Sequence, residues 1–200
     1  GLRLRNGELA AARATAERVR ADIAGRSQGL ERGLFVDGIL MTITLQAGDL
    51  EQATAMATAL RERLSAGPRT FMHGHMAALV GTMTAMVAIA AGDLSLAMRD
   101  LTVTYPLAVG TQDLPIVSNT GVAIATLGAA LGHPADAAEM LGAAARLRGS
   151  DDRSDPPITN LTAALVGELG AEFDVLYEGG KGLDRAAAIA RLDPVLLPAQ

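Results

Sequence analysis

Three histidines, four closely spaced methionines and two groups of acids are the side chains here whose types and spacing could support chemistry. His73 and His75 suggest a metal pair. Two residues apart on a helix, however, they project about 200° from each other, so one ion cannot be held by both from a single face. They read as the polar rim of a helix, and His133 falls where a helix cap belongs. Acid–base work needs converging carboxylates. Asp151, Asp152 and Asp155 lie in a polar, proline-broken stretch expected to be a mobile, solvated loop, and Glu168, Glu172, Asp174 and Glu178 are expected on the outer faces of short helices. No base, nucleophile and orienting group come together, so an enzyme is not expected. Gly179-Gly180-Lys181-Gly182 lacks the hydroxyl residue and the preceding strand of a phosphate-binding loop and reads as a break between two short helices. No cofactor or metal site is expected.

Met72, Met76, Met83 and Met86 step by 4, 7 and 3 residues. Methionine suits an adaptable binding groove, and it equally suits a core that must fill irregular gaps; the core reading is preferred. If a groove for a peptide or a small apolar ligand exists, it is expected along Met72, His73, Met76 and Met83, with Asp37 and Asn119 on neighbouring helices supplying polar contacts.

These residues must be positioned by a repeating frame. Asn6-Gly7-Glu8-Leu9, Ala47-Gly48-Asp49-Leu50, Ala91-Gly92-Asp93-Leu94 and Leu131-Gly132-His133-Pro134 share one form, their glycines 41, 44 and 40 residues apart. In each, glycine supplies the positive-φ position that ends one helix, and Asp49 or Asp93 caps the next; Pro134 starts its helix by its fixed φ. Five residues beyond each glycine stand Ala12, Ala53, Ala97 and Ala137, and nine beyond stand Ala16, Ala57, Leu101 and Leu141. Steps of three and four keep such residues on one helical face, and a column of alanines marks where one helix lies against its neighbour's backbone.

The frame predicts inner helices over 33–46, 70–91 and 114–131 and outer helices over 8–25, 49–65, 93–105 and 134–148. Loops are expected at 25–32, 66–69, 106–113 and 149–157, the third because the residue before Pro106 is pushed out of α geometry. Three short helices over 158–170, 171–178 and 183–192 are expected to cover the open end of the stack. The N-terminal Leu2-Arg3-Leu4-Arg5 reads as the end of a helix whose start is missing, so the chain is expected to be a fragment. Residues 1–149 form the repeats and 150–200 the loop and capping helices of one all-α domain of about four helix pairs.

Composition excludes several classes. Half of the residues are hydrophobic but only five are aromatic, so the core must be built from Ala, Leu, Val, Ile and Met. A net charge of −5 offers no footprint for nucleic acid or an anionic membrane. The Arg-rich start, with Arg13, Glu17 and Arg20 three or four apart, reads as a solvated ion-pair face. Without cysteine there are no disulfides or thiolate metal sites. No charged residue falls between Arg69 and Asp93, but the run contains two histidines, three threonines and three glycines and recurs in other units, so it reads as a covered inner helix and not a membrane span.

Gly-Asp-Leu-Glu-Gln-Ala (48–53) and Gly-Asp-Leu-Ser-Leu-Ala (92–97) resemble the start of the second helix of a tetratricopeptide repeat, with a period longer than its standard 34 residues. Longer units of this kind resemble the C-terminal arrays of large bacterial regulators with an ATP-binding module, the AfsR/SARP and large LuxR-type groups. Residues 137–149, the Pro-Pro at 156–157, Leu169-Gly170 before Ala171-Glu172-Phe173, Glu178-Gly179 and the Leu-Asp-Arg-Ala-Ala-Ala-Ile-Ala of 183–190 follow the order of that group's last segment. Leu176-Tyr177 departs from it, standing where the group usually has tryptophan. The resemblance implies a cytoplasmic, non-catalytic interaction or sensory scaffold whose concave face binds a protein segment or an effector. The expected partner is the regulator's own ATP-binding module or another protein. The alternatives are a small-molecule sensor with its site near the Met-rich helix, and a self-association module using the N-terminal face. Neither direct nucleic-acid binding nor membrane contact is expected of this segment.

Overall fold

The computed structural model describes residues 9–23, 29–66, 73–150 and 155–198, and within them the chain is all-helical, with no strand. Helix α1 covers Leu9–Ile23, α2 Gly29–Gln46, α3 Leu50–Ala66, α4 His73–Ala90, α5 Leu94–Gly110, α6 Leu114–Ala130 and α7 Pro134–Arg148. Three shorter helices follow: α8 at Pro156–Leu169, α9 at Glu172–Lys181 and α10 at Arg185–Arg191, before a 3-10 turn at Pro194–Leu196. The expected helix at Leu2–Arg5, the Gly7 turn, parts of the first two loops, Met72 and the acids Asp151 and Asp152 lie outside the described residues.

Three turns share one construction. Gly48, Gly92 and Gly132 have φ of 86°, 77° and 83°, the left-handed region where glycine carries no Cβ penalty. At the first, Gly48 N–H donates to Leu45 O at 3.0 Å and Asp49 N–H to Thr44 O at 3.2 Å, the crossed pair that closes a helix in a Schellman motif. The same residue then opens the next helix, because Asp49 Oδ1 accepts from Gln52 N–H at 3.0 Å. Asp93 repeats this with Leu96 N–H at 2.9 Å. His133 makes no side-chain cap bond, and Pro134 begins that helix instead.

Between these turns the small-residue column is buried. Ala53, Ala97 and Ala137 have no exposed surface and Ala12 has 8%, and Ala57, Leu101 and Leu141 are likewise enclosed. Consecutive helices pack on one another from α1 to α7, and the inner helices also touch directly, α2 on α4 and α4 on α6. Polar ties cross the same joints. Arg61 on α3 donates through Nε and Nη2 to Asp100 Oδ2 on α5 at 2.8 and 2.6 Å, and through Nη2 to Thr84 O on α4 at 3.0 Å.

Several expectations change. Helix α5 does not stop before Pro106 but runs to Gly110. Proline removes one backbone donor, a cost met here by burial: Thr104 and Ala108 are enclosed, Leu107 packs with Ala78 and Ile116, and Pro106 itself faces solvent. The expected loop at 106–113 is therefore a helix end and a tight turn, Thr111-Gln112-Asp113, in which Gln112 takes a φ of 58°. Gly179, Gly180 and Lys181 are not a break either; they complete α9. On the ion-pair face expected along α1, Glu17 and Arg20 are exposed, and Arg13 and Arg20 also reach α2, with Arg13 Nη2 donating to Thr44 Oγ1 at 2.8 Å and Arg20 Nε 2.9 Å from Asp37 Oδ1.

The C-terminal helices pack on the last pair: α9 and α10 on α7, α8 on α6 and α7. Arg191 on α10 forks onto α7, donating to Asp136 Oδ1 at 2.6 Å and Glu139 Oε2 at 2.9 Å.

Candidate functional site

A cleft of about 430 Å³ opens where α6, α7, α8 and α9 meet. Helix α6 contributes Ser118 and Val122, and α7 contributes Leu141, Ala145 and Arg148. One wall is α8, through Ile158, Thr162, Ala163 and Val166. The other is α9, which presents Phe173, Asp174, Tyr177 and Glu178. Residues spaced i, i+1, i+4 and i+5 share one helical face, so two rings and two carboxylates look into the same space. The Phe173 and Tyr177 rings are stacked with centroids 5.5 Å apart.

The position of α9 follows from glycine. Gly142 on α7 and Gly180 on α9 bring the two backbones into contact, and α8 stays farther out because its inward residues, Leu161 and Leu165, are full-sized and buried. That difference in approach leaves the gap.

Arg148 closes one end. Its Nη2 donates to Asn119 Oδ1 at 2.7 Å and its Nε to Ser118 Oγ at 3.3 Å, and Nη1 stands 3.8 Å from Asp155 Oδ2. Ser118 in turn donates to Ala144 O at 2.7 Å. At the opposite side the Lys181 ammonium lies 5.8 Å from the centre of the Tyr177 ring and 3.7 Å from Glu178 Oε1. Asp174 and Glu178 were expected on outer faces; they are exposed, yet both line the cleft.

The residues expected to form a binding surface separate into two places. Asp37 is buried on α2 between Arg20 of α1 and Arg63 of α3, which pairs with its Oδ2. Arg20 approaches Oδ1 off the line a hydrogen bond needs, so that contact is an ion pair alone. Met83 on α4 is half-buried in the cluster of Met41, Leu60, Val80 and Val87, and its sulfur lies so near Gly38 that a Cβ there would meet it at 2.7 Å. Met83 thus packs at the joint between α2 and α4, while Asp37 ties α2 to α1 and α3 through its two arginines. Met76 is half-buried on α4, and His73 is that helix's first residue. Asn119 belongs elsewhere, holding Arg148 at the cleft. None of Asp37, Met76 and Met83 lines the cleft.

Among the described residues no group of three or more His, Asp or Glu side chains is placed to hold a metal ion. No helix among them is long and apolar enough to cross a membrane. Tyr105 has its protonation clearly displaced: burial, with the nearby charge of Asp193 adding to it, pushes its pKa up to about 12. Its hydroxyl donates to Ile189 O at 2.5 Å, so it ties α5 to α10 and keeps its proton.

No protein-family model, no curated protein and no solved structure matches this chain.

The cleft had a faint sequence signal in the aromatic–acid pattern of 173–178, but its opposing wall depends on how α8 folds back.

Proposed function

We propose that this chain is a non-catalytic binding scaffold: a tetratricopeptide-like α-solenoid of about four helix pairs, capped by α8, α9 and α10, working in a bacterial transcriptional regulator of the AfsR/SARP or large LuxR type. The observation that carries the scaffold reading is the burial of Ala12, Ala53, Ala97 and Ala137, each five residues beyond a glycine of the repeat in the sequence. Units that repeat one contact stack in a line, and the product of such stacking is a long surface for recognition. The direct packing of α2 on α4 and of α4 on α6 supports an inner layer continuous along the stack. The partner is a protein segment, in first place the regulator's ATP-binding module.

Two measurements test this. The complete reading frame should carry a nucleotide-binding loop and DNA-binding helices; a frame without them overturns the regulator assignment. Calorimetric titration of the chain with that ATP-binding module should give a saturable heat, and no binding overturns the choice of partner.

A further inference from the structure

We infer that the cleft between α6, α7, α8 and α9 binds an organic cation, a compact apolar body carrying one ammonium group. This inference stands apart from the partner-binding reading, since three of the cleft's four helices, α7, α8 and α9, lie outside the inner layer and its ligand is a small molecule, and it can hold or fail alone.

The volume of about 430 Å³ lies within the range of about 300–1,000 Å³ typical of small-ligand sites. Val122, Leu141, Ile158 and Val166 give the interior an apolar lining, which suits a hydrocarbon or aromatic body. The charge at the mouth decides the polar end. Among the lining residues Arg148 is the cation that could attract an acid, but its Nε and Nη2 donate to Ser118 and Asn119, and its Nη1 stands 3.8 Å from Asp155 Oδ2. An incoming carboxylate would have to displace those partners. Asp174 has no hydrogen bond or ion pair among the described residues, and Glu178 has only the loose, exposed contact with Lys181 at 3.7 Å. Between these two carboxylates on α9 stands Tyr177, whose ring is stacked on Phe173. Carboxylates beside an aromatic face are the surroundings an ammonium group prefers. The chain's own Lys181 already places one 5.8 Å from the Tyr177 ring centre. A ligand amine would use the same ring and the unengaged Asp174.

The test compares 4-phenylbutylamine with 4-phenylbutyrate, equal in shape and opposite in charge, by calorimetry and thermal shift on the full chain. The amine is expected to bind one to one and raise the melting temperature, and the acid is not. The double variant D174N/E178Q should weaken the amine about tenfold, the scale of one charge-assisted contact; both residues are exposed, so the fold is retained. Ala163 is an exposed residue of the α8 wall, and A163W, which fills the cleft, should abolish binding. Acid binding as tight as the amine, amine binding untouched by A163W, or no binding of either probe would each overturn the inference.

Discussion

Gly142 and Gly180 face each other across the α7–α9 crossing so closely that neither can carry a side chain. A Cβ on Gly142 would lie 2.0 Å from Tyr177 O, and one on Gly180 would lie 2.0 Å from Glu139 O. Both obstacles are main-chain atoms, which cannot swing aside as a side chain can. Alanine normally gains about 1 kcal/mol over glycine inside a helix. Here G142A and G180A should each cost stability instead, by about 1–3 kcal/mol, because α9 must move off α7. Urea denaturation followed by circular dichroism measures it, and a gain in stability from either substitution would refute the crossing.

The alanine column makes a similar prediction in the body of the stack. Ala97 has no exposed surface and stands among the residues that join α4, α5 and α6. A97L should therefore cost about 1–3 kcal/mol through overpacking. A12L, at a site with 8% exposure in the smaller cluster of α1 and α2, should cost less. A urea midpoint for A97L equal to that of the unsubstituted chain would show that the column is not a set of tight joints.

What could be read from residues alone was whatever is decided within a few positions. The glycine turns and their aspartate caps are of this kind, and so is the spacing of Ala12, Ala53, Ala97 and Ala137, because helical periodicity places each on the buried stripe. Pro106 misled because its local cost is outweighed by the distant burial of Ala108, Thr104 and Leu107. Gly179 and Gly180 read as a break because a glycine needed for close approach looks the same as one needed for a turn. Asp37 read as a ligand contact, but its carboxylate serves Arg20 and Arg63, which arrive from two other helices. The cleft was out of reach for the same reason: four helices meet there, and only the aromatic–acid face of α9 is local.

Gln112 holds a position that glycine takes in the three related turns, with a φ of 58° against 77–86° for Gly48, Gly92 and Gly132. A residue with a Cβ in this region costs roughly 1–2 kcal/mol, part of which glycine returns through its greater freedom when unfolded. Gln112 is exposed, and the turn's bond from its N–H to Val109 O at 3.1 Å needs no side chain. Q112G should thus stabilise the protein by about 0.5–1 kcal/mol, raising Tm by roughly 2 °C for a chain of this size. A lower Tm for Q112G would mean that the Gln112 side chain holds something the turn requires.

Tyr105 links stability to alkaline pH. Its pKa is raised from 10.0 to about 12, first by burial and then by the charge of Asp193. The folded protein therefore keeps a proton that the unfolded chain releases, and between those two values the unfolded state binds fewer protons. The stability that Tyr105 contributes is accordingly whole below pH 10 and is lost progressively as pH rises through about 12. Removing the hydroxyl in Y105F deletes the hydrogen bond to Ile189 O and should cost about 1 kcal/mol at neutral pH. As pH climbs past 10 the wild-type chain loses what the variant never had, so the gap between their melting temperatures should narrow. Melting curves from pH 7 to 11.5 decide it, and a gap that stays constant or widens would show that Tyr105 ionises as easily in the folded chain as in the unfolded one.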